Sequence, residues 1–322
     1  MQRRVSMADV AAAAGVSGQT VSRVVNDSPR VDPATRGRVE RAMADLGYRP
    51  HRAARALRTG RTETIGLIVS TLASVGNSRM LQAIADAASD RGYALTVVTA
   101  AGADAVAQGF ARLHDQGVDG AIVLNEATAA ARGVDVPEGL ALVVVDSAPD
   151  DRYVVVQTDH AAGAATATAH LLALGRGPVW HLAGPAGSYA ADERERGWRA
   201  ALADAGTSVP ESLRGDWTAA SGHTAGLDLP AEARAVFAAN DQMALGLLRA
   251  LAETGRAVPD DVAVVGFDDV TDAADYRPPL TTVRQDFDAL GAAAVAALAD
   301  AIAGAPSAGV VLTPELVARA SA

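Results

Sequence analysis

In the stretch GVSGQTVSRVVN, residues 15–26, Gln19 and Arg23 stand four apart and so share one face of a helix. A Gln amide can make paired hydrogen bonds to the edge of adenine, and an Arg guanidinium can make them to guanine. Gly18 and Ser22 belong to the same face, while Val21, Val24 and Val25 form an apolar stripe on the other. The hydroxyls of Thr20 and Ser22 suit phosphate oxygens, which position a duplex without reading it. Ser17 opens this helix as its cap and Asn26 closes the stretch, so both join the set expected to face nucleic acid.

A second set is scattered along the rest of the chain but recurs at one kind of place. Ser70 follows IGLIV, Asp146 ends ALVVVD, Asn240 and Asp241 end AVFAAND, and Asp268 and Asp269 end VVGFDD. Arg194 lies at a helix start after HLAGPAGSYAADE, and Trp217 lies in GDWTAASG. Carboxylates accept from neighbouring hydroxyls, and an indole covers the apolar face of a sugar ring, so the set suits a neutral polyhydroxyl ligand. Taken singly, an Asp at a strand end is a helix cap and a Trp is core. The reading rests on their convergence.

Catalytic readings find little support. Asp268 and Asp269 are adjacent on a strand, so their side chains diverge and cannot act as an acid/base couple. The chain has no G-x-G-x-x-G after a strand, no P-loop and no G-x-S-x-G elbow. It has no Cys, and its six His lie far apart, which disfavours thiolate and His metal sites. No enzyme activity, cofactor or metal is expected.

Two kinds of element must position these residues. Residues 1–61 hold 12 Arg against 5 acidic residues, a net of +7, and the remainder carries −17. A basic head on an acidic body is the footprint of a nucleic-acid-binding module joined to something else. Ser6 caps a first helix with Asp9 three residues on, and Val10, Ala11 and Ala14 share its buried face. Gly15 ends that helix, Ser17 caps the second, and Asp32 with Pro33 opens a third that ends at Gly47. Two short helices about a tight Gly-containing turn describe a helix-turn-helix, here over residues 1–50. Residues 51–61 can form a short helix with Arg52, Arg55 and Arg58 along one side and Leu57 exposed. Leu57 then suits a wedge in the minor groove; the stretch equally suits a plain basic linker.

From residue 62 the pattern is strand alternating with helix. TIGLIVS, ALTVVTA, GAIVLN, ALVVVDS, PVWHLAG, AVFAAN and VAVVGFD read as buried strands, and 77–91, 104–116, 160–174, 190–205 and 241–254 as helices. Continuous apolar strands between helices imply parallel sheets covered on both faces. The strand count exceeds one sheet of ordinary size, so two lobes are expected, with ligand at the strand C-terminal ends between them. No apolar run is long enough to span a bilayer, and the start MQRRVSMADV has no apolar stretch before a cleavage site. A cytoplasmic protein without a membrane partner is expected.

The segment VSMADVAAAAGVSGQTVSRVVNDSPRVDPATRGRVERAMADLGYRPHRAARAL resembles the DNA-binding head of the LacI/GalR repressors. LAGP, GDWTAASG, ANDQMALG, VVGFDD and PPLTTVRQDFDALG resemble the body of that family, so the resemblance covers nearly the whole chain. It implies a helix-turn-helix head, a hinge helix and a two-lobed α/β core of the periplasmic-binding-protein type. The lobes would be about 62–158 with 286–313, and about 159–285 with 314–322. It also implies a homodimer bound to double-stranded operator DNA and released by a small effector. Gln19 and Arg23 match the base-reading pair, and Leu57 matches the hinge wedge. Ser70, Asp146, Arg194, Trp217, Asn240, Asp268 and Phe287 match the effector-pocket positions. Gly18 stands where a member of that family carries Tyr, which implies a different preferred operator. The chain runs to VLTPELVARASA without a C-terminal heptad helix, so a dimer is expected and not a tetramer. The resulting expectation is a repressor of carbohydrate-use genes induced by a sugar, with a galactoside as the leaning. The alternatives are a co-repressed regulator, or a sugar-binding protein or enzyme on the same lobes.

Overall fold

The computed structural model describes residues 5–26, 28–48 and 60–322. Arg52, Arg55 and Leu57, with the hinge expected around them, lie outside the described residues. The chain divides into two compact units, Met1–Thr62 and Glu63–Ala322.

The first unit holds α1 (Met7–Ala14), α2 (Gly18–Val25) and α3 (Pro33–Asp45). Each helix begins where a short polar side chain satisfies exposed backbone N–H groups. Ser6 Oγ accepts from Asp9 N at 3.3 Å, while the Asp9 carboxylate accepts from Ser6 N at 2.8 Å. Ser17 Oγ accepts from Thr20 N at 3.2 Å, and Asp32 accepts from Thr35 N at 2.9 Å ahead of Pro33. Gly15 adopts φ 65°, a left-handed turn that costs glycine little, and so ends α1. Val10, Val21, Val24 and Val39 form the buried centre with Ala11, Ala14, Ala42 and Tyr48. Val25, expected in the buried stripe, is half-buried: it closes α2 and packs on the margin of this core.

The second unit contains two six-stranded sheets. The first is built from β1 (Thr64–Val69), β2 (Ala94–Thr99), β3 (Gly120–Leu124), β4 (Ala141–Val145), β5 (Val154–Thr158) and, from far along the chain, β11 (Val310–Leu312). Its order is β11-β5-β4-β3-β1-β2, and its pairings are parallel. The second sheet contains β6 (Trp180–Ala183), β7 (Leu213–Arg214), β8 (Ala235–Ala238), β9 (Ala263–Asp268), β10 (Thr281–Arg284) and β12 (Glu315–Val317). Its order is β12-β10-β9-β8-β6-β7, parallel except where β12 returns antiparallel to β10. The chain therefore crosses between the lobes after β5, after β10 and after β11.

The helices are α4 (Val75–Asp90), α5 (Ala103–Asp115), α6 (Glu126–Ala131), α7 (His160–Ala173), α8 (Tyr189–Asp204), α9 (Ala219–Leu227), α10 (Asp241–Glu253) and α11 (Phe287–Ala303). Helices cover both sheet faces, which is why β3 and β9 are buried at every position. Small residues let helices approach closely. A Cβ on Gly246 of α10 would sit 1.9 Å from the Ala219 carbonyl, so only glycine fits against α9 there.

Candidate functional site

A cleft opens between the two lobes. Asn125 follows β3, Asp146 follows β4, Asn240 follows β8, Asp268 ends β9 and Gln285 follows β10, and all five line the cleft. Arg194 enters from α8, Trp217 from the loop before α9, and Phe287 from the first position of α11. Ser70 is the exception among the seven residues matched to the effector pocket, and Asp241 and Asp269 at the strand ends also lie outside the lining. The Ser70 hydroxyl donates to Glu126 Oε2 at 3.1 Å, and Glu126 forms the wall in its place.

The strand ends are conformationally unusual. Asn125, Asp146, Trp217 and Asp268 adopt φ of 46°, 52°, 75° and 114°, a region that non-glycine residues seldom occupy. Such a conformation costs about 1–3 kcal/mol and persists where surrounding contacts over-determine it. Those contacts are present. Asp146 Oδ1 accepts from Thr158 N at 3.1 Å, and Asp268 Oδ1 accepts from Gln285 Nε2 at 2.6 Å. The Trp217 indole donates to Glu126 Oε1 at 3.2 Å, and the Trp217 carbonyl accepts from Asn240 Nδ2 at 3.1 Å. Asn240 Oδ1 also caps α10 by accepting from Met243 N at 2.9 Å.

Arg194 is the centre of the charge arrangement. It is 4% exposed, donates to the Ala239 carbonyl, and places a terminal nitrogen 3.4 Å from Asp268 Oδ1. Its guanidinium lies 3.8 Å over the Phe267 ring and 5.5 Å over that of Trp217. Burial pulls its pKa down, and Asp268, Asp146 and Asp241 oppose that pull. Burial pushes the Asp268 carboxyl up, against Arg194 and the Gln285 hydrogen bond. Buried His160 lies between Arg194 and Asp146: Arg194 Nε donates to its Nδ1 at 3.4 Å, which leaves the ring hydrogen on Nε2. Nε2 lies 3.1 Å from Asp146 Oδ1, a close approach without hydrogen-bond geometry. Asp269 turns away from Asp268 to Arg284 and Arg319, at 2.7 and 2.6 Å, so the two carboxylates diverge.

In the head, Ser17, Gly18, Gln19, Arg23 and Asn26 are exposed, and Thr20 and Ser22 are half-buried. The Ser17 and Thr20 hydroxyls lie 3.0 Å apart, and Asn26 Nδ2 donates to the Ser22 carbonyl at 2.6 Å. The helix is thereby closed at both ends by its own side chains while Gln19 and Arg23 project outward.

The family described as bacterial regulatory proteins, lacI family, matches residues 6–51, and the periplasmic binding protein-like domain matches residues 168–322. The HTH-type transcriptional regulator CelR of Thermobifida fusca is 37% identical, over 94% of this chain and 93% of that protein. This chain belongs to the lacI family. Among solved structures similar to this lacI-family chain is the lac repressor dimer bound to operator and the anti-inducer ONPF. It has 34% identity and a TM-score of 0.87 over 99% of each chain. A CelR–cellobiose complex has 35% identity and a TM-score of 0.75, over 99% of this chain and 100% of that one. The lacI-family architecture, a helix-turn-helix head and a two-lobed α/β core, is the one described above.

Sequence reasoning on this lacI-family chain missed Asn77, Met80, Asn125, Glu126 and Gln285 as lining residues, and His160 beneath them. Asn125 ends GAIVLN, the same strand-end signal that pointed to Asp146. Gln285 follows TTVR, which has no apolar run to mark it as a strand, and Asn77 and Met80 reach the cleft from α4. No group of His, Cys, Asp and Glu among the described residues is arranged to hold a metal ion. No helix among them is long and apolar enough to cross a membrane.

Proposed function

We propose that this protein is a homodimeric transcriptional repressor that is released from its operator when a sugar occupies the inter-lobe cleft. The observation that carries the reading is that the cleft wall is shared. Glu126 and Asp146 come from the first lobe, and Arg194, Trp217, Asn240 and Asp268 from the second. A ligand gripped from both sides binds one arrangement of the lobes better than another, and that difference in affinity is what shifts a population. Linkage then requires sugar to weaken operator binding by the factor by which operator weakens sugar binding, about 1–3 kcal/mol in typical cases. The lac repressor structure supports the DNA and dimer parts of this reading, and the CelR structure supports a sugar in the cleft. The Asp146, Arg194 and Asp268 side chains are held by partners that orient them for binding, and the role is recognition without turnover. Operator binding places the protein in the cytoplasm.

The test is a gel shift of the purified chain on the DNA upstream of its own gene, repeated with a sugar panel. Cellobiose heads the panel because the CelR complex holds it, and a galactoside follows. Release by one sugar is the expected result. Tighter DNA binding with sugar would make the protein a co-repressed regulator, and breakdown of the sugar would make it an enzyme. Light scattering should give about twice the 32.7 kDa chain mass.

A further inference from the structure

The geometry points to Glu126 as the residue that selects the class of effector, admitting an uncharged, hydroxyl-rich sugar and rejecting its phosphorylated form. This rests on the sugar-cleft reading above and narrows it.

Hydrogen-bond directions in the cleft are set by chemistry. Asn77 Nδ2 donates to the Thr71 carbonyl at 2.9 Å, so Asn77 Oδ1 is the face turned to Asn125. Asn125 must answer with its amide nitrogen, which leaves its Oδ1 buried and without a hydrogen-bond partner. Gln285 gives its amide nitrogen to Asp268, which leaves Gln285 Oε1 in the same condition on a side chain 93% buried. Both residues line the cleft. A buried acceptor without a donor costs free energy, so at both positions the wall is short of donors and has acceptors to spare.

Glu126 adds to this acceptor wall and gives it its charge. Its two oxygens each take one hydrogen bond, from Trp217 Nε1 and Ser70 Oγ, and a carboxylate has capacity for about two more. The indole bond aims the carboxylate at the edge of the aromatic plate. The charged groups in the lining are three carboxylates, Glu126, Asp146 and Asp268, against one guanidinium. That guanidinium is already engaged by Ala239, His160 and Asp268. Asp146 and Asp268 are almost wholly buried and tied to backbone or amide donors, whereas Glu126 is half-buried and bridges the lobes. Hydroxyls satisfy such a wall, and a phosphate meets like charge and acceptors facing acceptors.

The experiment is calorimetry on the full chain with cellobiose, lactose and the 6-phosphate of each, using wild type, Glu126→Gln and Glu126→Asp. Wild type should prefer one neutral sugar over its phosphate by about 100-fold, as expected for like charges facing each other within a cleft. Glu126→Gln keeps the shape and removes the charge, and should narrow that preference about tenfold, while Glu126→Asp keeps it. A wild type that takes phosphorylated sugars equally well, or an unchanged preference in folded Glu126→Gln, would overturn the selection by Glu126. If Glu126→Gln fails to fold, loss of the preference in Glu126→Asp would overturn it as well. If wild type binds none of the four and none moves it on DNA, the sugar reading itself falls, and the selection falls with it.

Discussion

In α2 of the head, Ser17 satisfies Thr20 three residues on, and Asn26 reaches back four residues to Ser22. In the cleft, Trp217 donates to Glu126 across 91 residues and Arg194 donates to Ala239 across 45. The head presents Gln19 and Arg23 to solvent, whereas the cleft keeps Arg194, Asp146 and Asp268 about 95% buried. One surface is made by local contacts and screened by water and salt. The other is made by long-range contacts in a low dielectric, where an unpartnered charge is costly. The two should therefore respond differently to the same kinds of perturbation.

The largest effect should come from breaking the buried pair. Arg194→Ala leaves Asp268 without its cation and should cost about 3–5 kcal/mol of stability, read from the urea midpoint. Asp268→Asn is the milder form; it should retain operator binding and lose the sugar response. A loss below about 1 kcal/mol for Arg194→Ala would place the pair with ordinary surface ion pairs and erase the contrast.

A second buried group sharpens it through pH. Burial pushes His181 down to about 4; its ring stacks on Phe237, and its Nδ1 donates to the Phe237 carbonyl at 2.9 Å. The unfolded chain takes up the proton first, near the ordinary value of 6.5. The stability from this residue is therefore full above that pH and falls as pH drops toward 4, by about 3 kcal/mol in all. His181→Phe keeps a ring in the stack and removes the titration. Equal pH slopes for the two proteins between pH 6.5 and 4 would contradict the assignment.

On the exposed surface, Arg23→Ala should weaken operator binding by roughly 1–3 kcal/mol and relax base preference. Operator affinity should also fall steeply between 50 and 200 mM salt as counterions are released; the steep example known for this effect is lac repressor, a relative. An equal loss on operator and random DNA would remove Arg23 from base reading. The smallest effect should be Ser17→Ala, about 1 kcal/mol of head stability from one lost cap, followed by circular dichroism on thermal unfolding. A loss several times larger would mean that Ser17 serves more than its own helix.

The same contrast decides what could be read in advance. Ser6, Gly15, Ser17, Asp32 and Pro33 announced the head correctly because caps and turns act within three or four residues. The long apolar strands announced the sheets because strands covered on both faces tolerate few polar residues. The strands β7, β10, β11 and β12, of two to four residues, are too short to carry such a pattern, whereas β5 carries one in VVV that the strand reading did not include. Strand β11 joins the first sheet beside β5, more than 150 residues earlier, through pairing that no local window contains. In the cleft, Asp146, Asn240 and Asp268 were legible because each ends an apolar run.

Sequence by itself thus determined the capped helices of the head, the alternation that builds the lobes, and the polar residues that end apolar strands. Only tertiary structure decided that Ser70 stands behind Glu126, that Glu126 meets Trp217, and that Asn125 and Gln285 keep an acceptor turned inward. The reason is the range of the forces involved. Backbone capping and hydrophobic periodicity are set by near neighbours, whereas a cleft wall depends on which distant side chains the folded lobes bring within hydrogen-bond reach.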